Sequence, residues 1–119
     1  MARPCKRRRV CGKPICGFFG PEGDVREIVT MTLDEFETIR LIDWEGMTQE
    51  QCAGQMDVAR TTVQAIYGNA RAKLAECLVC GKGLRIEGGD YRLCEGRRRG
   101  CARPCPHYCR REEQEEILE

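Results

Sequence analysis

Between Gln49 and Ile66 the chain reads QEQCAGQMDVARTTVQAI, and an apolar rhythm that starts as one amphipathic helix breaks at Asp57 and resumes in another phase. Cys52, Ala53 and Met56 before the break, and Val63 and Ile66 after it, fit two short-paced helical faces rather than one. Two helices that cross steeply need a small residue where they touch, apolar anchors on each, and a turn too short to slide. Ala53 supplies the small contact, Met56 closes the first helix, Val58 follows the turn, and Val63 and Ile66 anchor the second. These are the spacings of a DNA-binding helix–turn–helix, in which the second helix enters the major groove. The turn departs from the usual pattern in two places. Asp57 stands where glycine often meets a need for φ > 0, a conformation that Asp tolerates better than most residues. Ala59 stands where Ser or Thr would bind a free amide, which costs about 1 kcal/mol.

The flanking sequence supplies neighbours for this unit. Thr48 with Gln51, and Thr32 with Glu35, each make a T-x-x-[EQ] capping box that marks a helix start. Leu33, Phe36, Ile39, Leu41 and Ile42 form an apolar stripe that Gly46 can end. After Asp57 a longer third helix carries Val63, Ile66, Tyr67, Ala70 and Leu74 at helical spacing, with Gly68 as a weak point. Val25 to Met31 is expected to be a short strand, and Leu84–Glu87 is expected to pair with Tyr91–Leu93 as a hairpin around Gly88-Gly89. The fold class is therefore mainly α: a three-helix helix–turn–helix core with a short β element and a Cys-rich, metal-stabilised C-terminal tail. The expected organisation is a basic extended arm (1–24), a strand plus three-helix domain (25–78), a hairpin and Cys-rich segment (79–109) and an acidic tail (110–119).

With Val63 and Ile66 inward, the opposite face of the third helix presents Arg60, Thr61, Gln64 and Ala65, then Asn69, Arg71 and Lys73. Arg and Gln can make bidentate contacts to guanine and adenine, whereas Thr61, Thr62, Arg71 and Lys73 suit phosphates or a thymine methyl. A net charge of +1 conceals strongly charged blocks. Arg3, Lys6, Arg7, Arg8, Arg9 and Lys13 lie in residues 1–16 with no acid among them, and residues 92–111 carry seven arginines against Glu95. Residues 31–57 set seven acids against Arg40, and the last eight residues carry five glutamates. The basic amino-terminal block is a candidate phosphate-holding arm.

Ten cysteines in 119 residues are far above ordinary usage. No apolar stretch follows the basic amino end and no run reaches membrane-spanning length, so the expectation is a soluble, cytoplasmic protein with no membrane partner. In a reducing compartment clustered thiols are metal ligands more often than disulfides. Cys77-Leu-Val-Cys80-Gly81 reads as a C-x-x-C-G knuckle, with Cys94, Cys101, Cys105 and Cys109 as further ligands and His107 as the lone imidazole. A tetrahedral zinc site of Cys77, Cys80 and two of the later four is the leading expectation, because it would tie down a tail with no core of its own. An iron–sulfur cluster needs the same thiolates, and spacing does not separate the two. Cys5, Cys11 and Cys16 could complete a shared metal site or a second one, but with no C-x-x-C among them they read first as free thiols; Cys52 reads as a small core hydrophobe, and Phe36 and Trp44 as core or helix-junction packing.

The stretch LDEFETIRLIDWEGMTQEQCAGQMDVARTTVQAIYGNARAKLAECL resembles region four of sigma factors, in its acidic first helix, its E-G-M-T-x-E turn and its closing A-R-x-K-L. Together with RPCKRRRV, Pro14, FFGPEG and LRIEGGDYRL it looks like the small prokaryotic family called domain of unknown function 134. The resemblance implies a sigma-region-four-like domain that binds double-stranded DNA, with RNA polymerase as a candidate protein partner. A two-fold operator would call for a homodimer, although sigma-like domains also act as monomers. The expected function is a sequence-specific transcriptional regulator, metal- or redox-responsive. The alternative is a metal or iron–sulfur accessory protein whose helices dock a protein. No P-loop and no nucleophile–base pair is evident, and Gly81-x-Gly83 before a hairpin is not a dinucleotide fingerprint, so no enzyme activity is expected.

Overall fold

The computed structural model describes residues 8–93. In chain order these form β1 (Arg8–Val10), β2 (Phe18–Phe19), β3 (Ile28–Met31), α1 (Leu33–Thr38), a π-helical turn (Ile39–Trp44), α2 (Gln49–Met56), α3 (Arg60–Cys80), β4 (Gly83–Ile86) and β5 (Tyr91–Leu93). Arg3, Lys6, Arg7, Cys5, Cys94, Cys101, Cys105, His107, Cys109 and the acidic tail lie outside the described residues.

Both capping boxes form. At α1 the Glu35 amide donates to Thr32 Oγ1 at 3.4 Å while the Thr32 amide donates to Glu35 Oε1 at 2.9 Å. At α2 the corresponding bonds between Thr48 and Gln51 are 2.9 and 3.1 Å. Each box satisfies amides that a helix start leaves without partners. Beyond Thr38 the first helix widens into π geometry, with the Glu45 amide donating to the Arg40 carbonyl at 2.9 Å, and Gly46 at φ +80° ends it. Arg40 and Leu41, adjacent in sequence, are both buried there. Trp44 is not core packing as expected: it ends the π turn with 73% of its surface exposed.

The strands take a larger part than a short accessory element. β4 lies between β3, to which it is parallel, and β2, to which it is antiparallel. Val29 faces Leu84 and Met31 faces Ile86 in register, which is why the helices must intervene between β3 and β4: parallel neighbours require a crossover. The hairpin expected between 84–87 and 91–93 does not form. β5 pairs in parallel with β1, in the register Arg8–Tyr91, Arg9–Arg92 and Val10–Leu93. Gly88 and Gly89, at φ +75° and +104°, carry the chain past the start of α1 instead of reversing it, and the Gly88 carbonyl accepts from the Leu33 amide at 2.9 Å. A Cβ on Gly89 would lie 2.7 Å from Thr32 Cβ and from Asp34 Oδ1, so the close approach requires glycine. Residues 8–19, expected to be part of an extended arm, instead contribute β1 and β2, with Arg9, Val10 and Cys11 buried.

Two apolar clusters hold the elements. One gathers Cys11, Leu41, Met47, Cys52, Ala53, Met56 and Val63 around α2 and the start of α3. The other gathers Met31, Leu33, Ala70, Leu84 and Ile86 between the three-stranded sheet, α1 and the rest of α3. α3 thus spans both clusters and fixes one against the other. Cys52 packs as the expected core hydrophobe, and burial, with Glu37 nearby, pushes its thiol up to about 12. A buried ion pair links α1 to the π turn: Arg40 Nε and Nη2 each lie 2.9 Å from an oxygen of Glu37, whose Oε2 also accepts from the amide of Cys11, the residue after β1, at 2.9 Å. None of the described helices is long and apolar enough to cross a membrane.

Candidate nucleic-acid interface

The break at Asp57 is a left-handed residue. Asp57 sits at φ 61°, ψ 47°, the one non-glycine with positive φ among the described residues, and its conformation ends α2. The Val58 amide donates to the Ala53 carbonyl at 3.0 Å, closing the turn. Ala59 then returns to extended backbone, φ −72°, ψ 153°, and α3 begins at Arg60 with no side-chain cap, as the sequence implies.

α3 buries Val63, Ile66 and Ala70 and turns its opposite face outward. Arg60, Thr61, Gln64, Ala65, Asn69 and Arg71 are exposed, and Thr62 is half-buried. Gly68 lies on the same outward stripe with open space where a Cβ would stand. Arg60 Nη1 reaches Gln49 Oε1 at 3.5 Å, a contact long enough to yield to a better acceptor. Arg71 lies 5.5 Å over the Tyr67 ring and donates to its hydroxyl at 3.1 Å, while that hydroxyl donates to Asp43 at 2.9 Å. Partial desolvation, then the Asp43 hydrogen bond, raises the Tyr67 phenol above its ordinary value.

The structure separates the predicted contact residues into two groups. Arg60, Thr61, Thr62, Gln64, Ala65, Asn69 and Arg71 share the outward side of α3, but Lys73 does not stand free beside them. Its Nζ is 2.7 Å from Glu35 Oε1, drawn to a carboxylate already fixed by the capping box of α1. Arg9 is likewise corrected from a phosphate-holding arm to a structural group: it is buried, donating from Nε to the Gln55 carbonyl at 2.7 Å and from Nη2 to the Gly54 carbonyl at 3.1 Å. These carbonyls belong to the last turn of α2, and the Gly54 carbonyl also accepts from the Asp57 amide at 3.3 Å; a buried cation there is favoured by hydrogen bonding and by the helix dipole. Arg8 lies 3.8 Å from Asp90. Sequence periodicity missed Arg92, whose Nη2 donates to Asp57 Oδ2 at 3.0 Å; nothing local in the chain marks residues 57 and 92 as neighbours.

A family model described as protein of unknown function DUF134 matches residues 1–94. The chain belongs to the DUF134 family. It is 60% identical over 109 residues to a UPF0251 protein of Desulfitobacterium hafniense strain Y51, covering 88% of this chain and 86% of that one. A UPF0251 protein of Halothermothrix orenii is 50% identical over 97 residues, covering 78% and 71%. One from Thermoanaerobacter sp. strain X514 is 45% identical over 103 residues, covering 84% and 91%. No solved structure matches.

In this DUF134 chain the C-x-x-C-G stretch is not a knuckle. Cys77 and Cys80 occupy the last turn of α3, and Gly81, at φ 69°, is the left-handed cap that ends it. The expected domain boundary at residue 78 therefore falls inside a helix. Cys77 is half-buried with its Sγ 3.6 Å from the Gly83 carbonyl, and burial, then Glu76, raises its thiol above the ordinary value; Cys80 is exposed. Among the described residues no three His, Cys, Asp or Glu converge as a metal-binding group. Cys77 also borders an apolar cavity of about 560 Å³ walled by Phe19, Met31, Phe36, Ile39, Leu74 and Leu84. Lys82, the cation on its rim, is held by Glu76 at 2.6 Å and Glu27 at 3.2 Å.

Proposed function

We propose that this chain is a non-catalytic, sequence-specific DNA-binding regulator of transcription, in which α2, the Asp57 turn and α3 act as a helix–turn–helix. The observation that carries this reading is the left-handed Asp57 joined to an α3 whose first turns expose Arg60, Thr61, Gln64 and Ala65 opposite the buried Val63 and Ile66. Arg60 and Gln64 are the base-reading side chains of this proposal, and Thr61, Thr62, Asn69 and Arg71 meet the phosphates. Lys73 is outside the contact set. Arg3, Lys6 and Arg7 remain candidates for phosphate contacts. Duplex DNA is the partner in a cytoplasmic setting; the sigma resemblance adds RNA polymerase, and a two-fold operator would require two copies.

Zinc is the proposed metal, on Cys77, Cys80 and two of Cys94, Cys101, Cys105 and Cys109; an iron–sulfur cluster would draw on the same thiols. The i, i+3 placement of Cys77 and Cys80 sets both in one helical turn, a geometry that supports a shared ion. A second reading, an accessory protein that docks another protein, is favoured by the exposed apolar surfaces of Trp44, Leu78 and Val79.

Salt separates the two readings. Affinity of the full chain for a labelled duplex, followed by fluorescence anisotropy, is expected to fall linearly with log salt, at a slope of roughly −0.9 per phosphate contacted. Absence of duplex binding at low salt, with the protein folded, would overturn the DNA reading and leave the docking one.

A further inference from the structure

The two apolar clusters are not equally closed. Around α2, Leu41, Cys52, Met56 and Val63 are fully buried. In the cluster against the three-stranded sheet Met31 and Leu84 are buried, but Phe36, Ile39, Leu74 and Cys77, which pack toward the same strands, are only half-buried. What keeps them open is the cavity of about 560 Å³ that they border together. β3 and β4 supply one wall, with Met31 and Ile86 paired in register, and α3 supplies the opposite one. The third side is the β2 segment, where Phe19 is paired with Leu84 and leads into Gly20 and Pro21. That side is fixed rather than loose. The Ile86 amide donates to the Gly17 carbonyl at 2.8 Å, and Phe18 and Val25 pack so closely on Gly83 that a Cβ there would lie 2.8 and 2.9 Å from them. The volume falls in the range of small-molecule pockets, about 300–1,000 Å³.

We propose that this cavity binds a small, uncharged, mainly apolar molecule with one oxygen acceptor, of the class of a medium-chain alcohol or ketone, its chain against Phe36, Ile39 and Leu74 and its oxygen at Lys82. Among the described residues Lys82 is the one charged side chain on the wall, and the rest of the lining is almost wholly apolar. An ammonium has three N–H donors. Glu76 and Glu27 take two of them, at 2.6 and 3.2 Å, which leaves one for the occupant. One cation between two carboxylates gives the rim a net negative charge, so an anionic head is repelled where a neutral oxygen is accepted. The Cys77 thiol is already turned to the Gly83 carbonyl. The same charge disfavours the chain's own remainder as the occupant. In residues 1–7 and 94–119 the large apolar side chains are Met1, Tyr108, Ile117 and Leu118, and the last two are flanked by Glu115, Glu116 and Glu119. In a regulator of the kind proposed above the occupant would be an effector, but the site is argued and tested without that reading.

The test titrates the full chain with hexan-1-ol, octan-1-ol and octanoate and follows the methyl resonances. Octan-1-ol is expected to bind saturably and to shift Met31, Ile39, Leu74, Leu84 and Ile86 while leaving Met56 and Val63 of the other cluster unmoved. Affinity should rise about three- to fourfold for each methylene added between hexan-1-ol and octan-1-ol, the worth of burying that group. Octanoate should bind about tenfold more weakly than the alcohol. Leu74→Trp, which fills the cavity, should abolish saturable binding. Should that variant not fold, Lys82→Met on the rim decides: it should weaken octan-1-ol by about three- to tenfold, the worth of one hydrogen bond, with the dependence on chain length kept. Shifts that do not saturate or that spread over both clusters, octanoate binding as tightly as the alcohol, or unchanged binding in a folded Leu74→Trp or in Lys82→Met would overturn the proposal. So would movement of the same methyls on dilution without any alcohol, the sign of a second copy closing the cavity through the exposed Leu78. None of these readings depends on duplex DNA, so failure here and failure of the DNA reading are separate results.

Discussion

Asp57 and Ala59 are the residues on which the connection between α2 and α3 depends, and they differ in kind. Asp57 bears a conformational cost that its side chain offsets through the Arg92 contact, and a β-branched replacement would bear the cost without the offset. Asp57→Val is expected to lower stability by about 1–2 kcal/mol, the penalty for a bulky residue in left-handed backbone, read as a lower urea midpoint at unchanged m-value. Ala59 already has the extended backbone of a helix cap but offers no acceptor. Ala59→Ser should raise stability by about 1 kcal/mol in the same assay. Cys52 makes a pH prediction whose sign follows from its burial. The thiol ionises near 9.0 when solvated and at about 12 when folded. Above pH 9 the unfolded chain therefore releases a proton that the folded one keeps, and this contribution to stability is present below that pH and lost as the pH rises toward 12. Replacing Cys52 by Ala should flatten that alkaline limb of the stability profile; an unchanged limb would mean that the thiol does not stay protonated in the fold.

At the scale of elements, what could be read in the chain was what neighbours in sequence determine. Thr32–Glu35 and Thr48–Gln51 lie three residues apart, so the reciprocal bonds that start α1 and α2 are written within one helical turn. The outward side of α3 follows from Val63 and Ile66 by the same periodicity. The expected strands form, at Ile28–Met31, Gly83–Ile86 and Tyr91–Leu93, but the expected hairpin pairing does not, because the true partners are remote. Nothing within Leu84–Leu93 reveals that β4 is claimed by Val29 and Met31, or that β5 is claimed by Arg8–Val10. The Gly88-Gly89 pair has the composition of a hairpin turn, but its glycines are needed for a close pass over Thr32 and Asp34. Cys77 and Cys80 were read as a turn because Gly81 follows them, and a glycine in left-handed backbone ends a helix as readily as it makes a knuckle. Lys73 is expected at phosphates from its place on the α3 face and Arg9 from its place in a basic block, but Lys73 is bonded to Glu35 and Arg9 to the α2 carbonyls, contacts that neither signal reveals. The buried Glu37–Arg40 pair was equally invisible, since it looks like any i, i+3 pair on a polar face. Removing only its acid leaves a buried guanidinium without its bidentate partner and the Cys11 amide without its acceptor. Glu37→Ala is therefore expected to cost about 3–5 kcal/mol in chemical denaturation, far more than an exposed pair would.

For the molecule as a whole, α3 is the member that joins the parts, with one half in the α2 cluster, the other against the three-stranded sheet, and its outer face presenting Arg60 and Gln64. The β1–β5 ribbon grips the turn at the start of that helix, through Arg9 on the end of α2 and Arg92 on Asp57. The proposal that α3 reads duplex DNA is tested most directly by selection from a random duplex pool with the full chain, run in parallel with the double variant Arg60→Ala, Gln64→Ala. Both side chains are exposed, so the variant should keep its thermal midpoint within the small range of surface substitutions, about 0.5 kcal/mol. The account predicts that the parent enriches a defined motif and that the variant, though folded and still retaining weak salt-dependent binding, enriches none. The same motif enriched by both proteins, or no motif enriched by the parent, would contradict it.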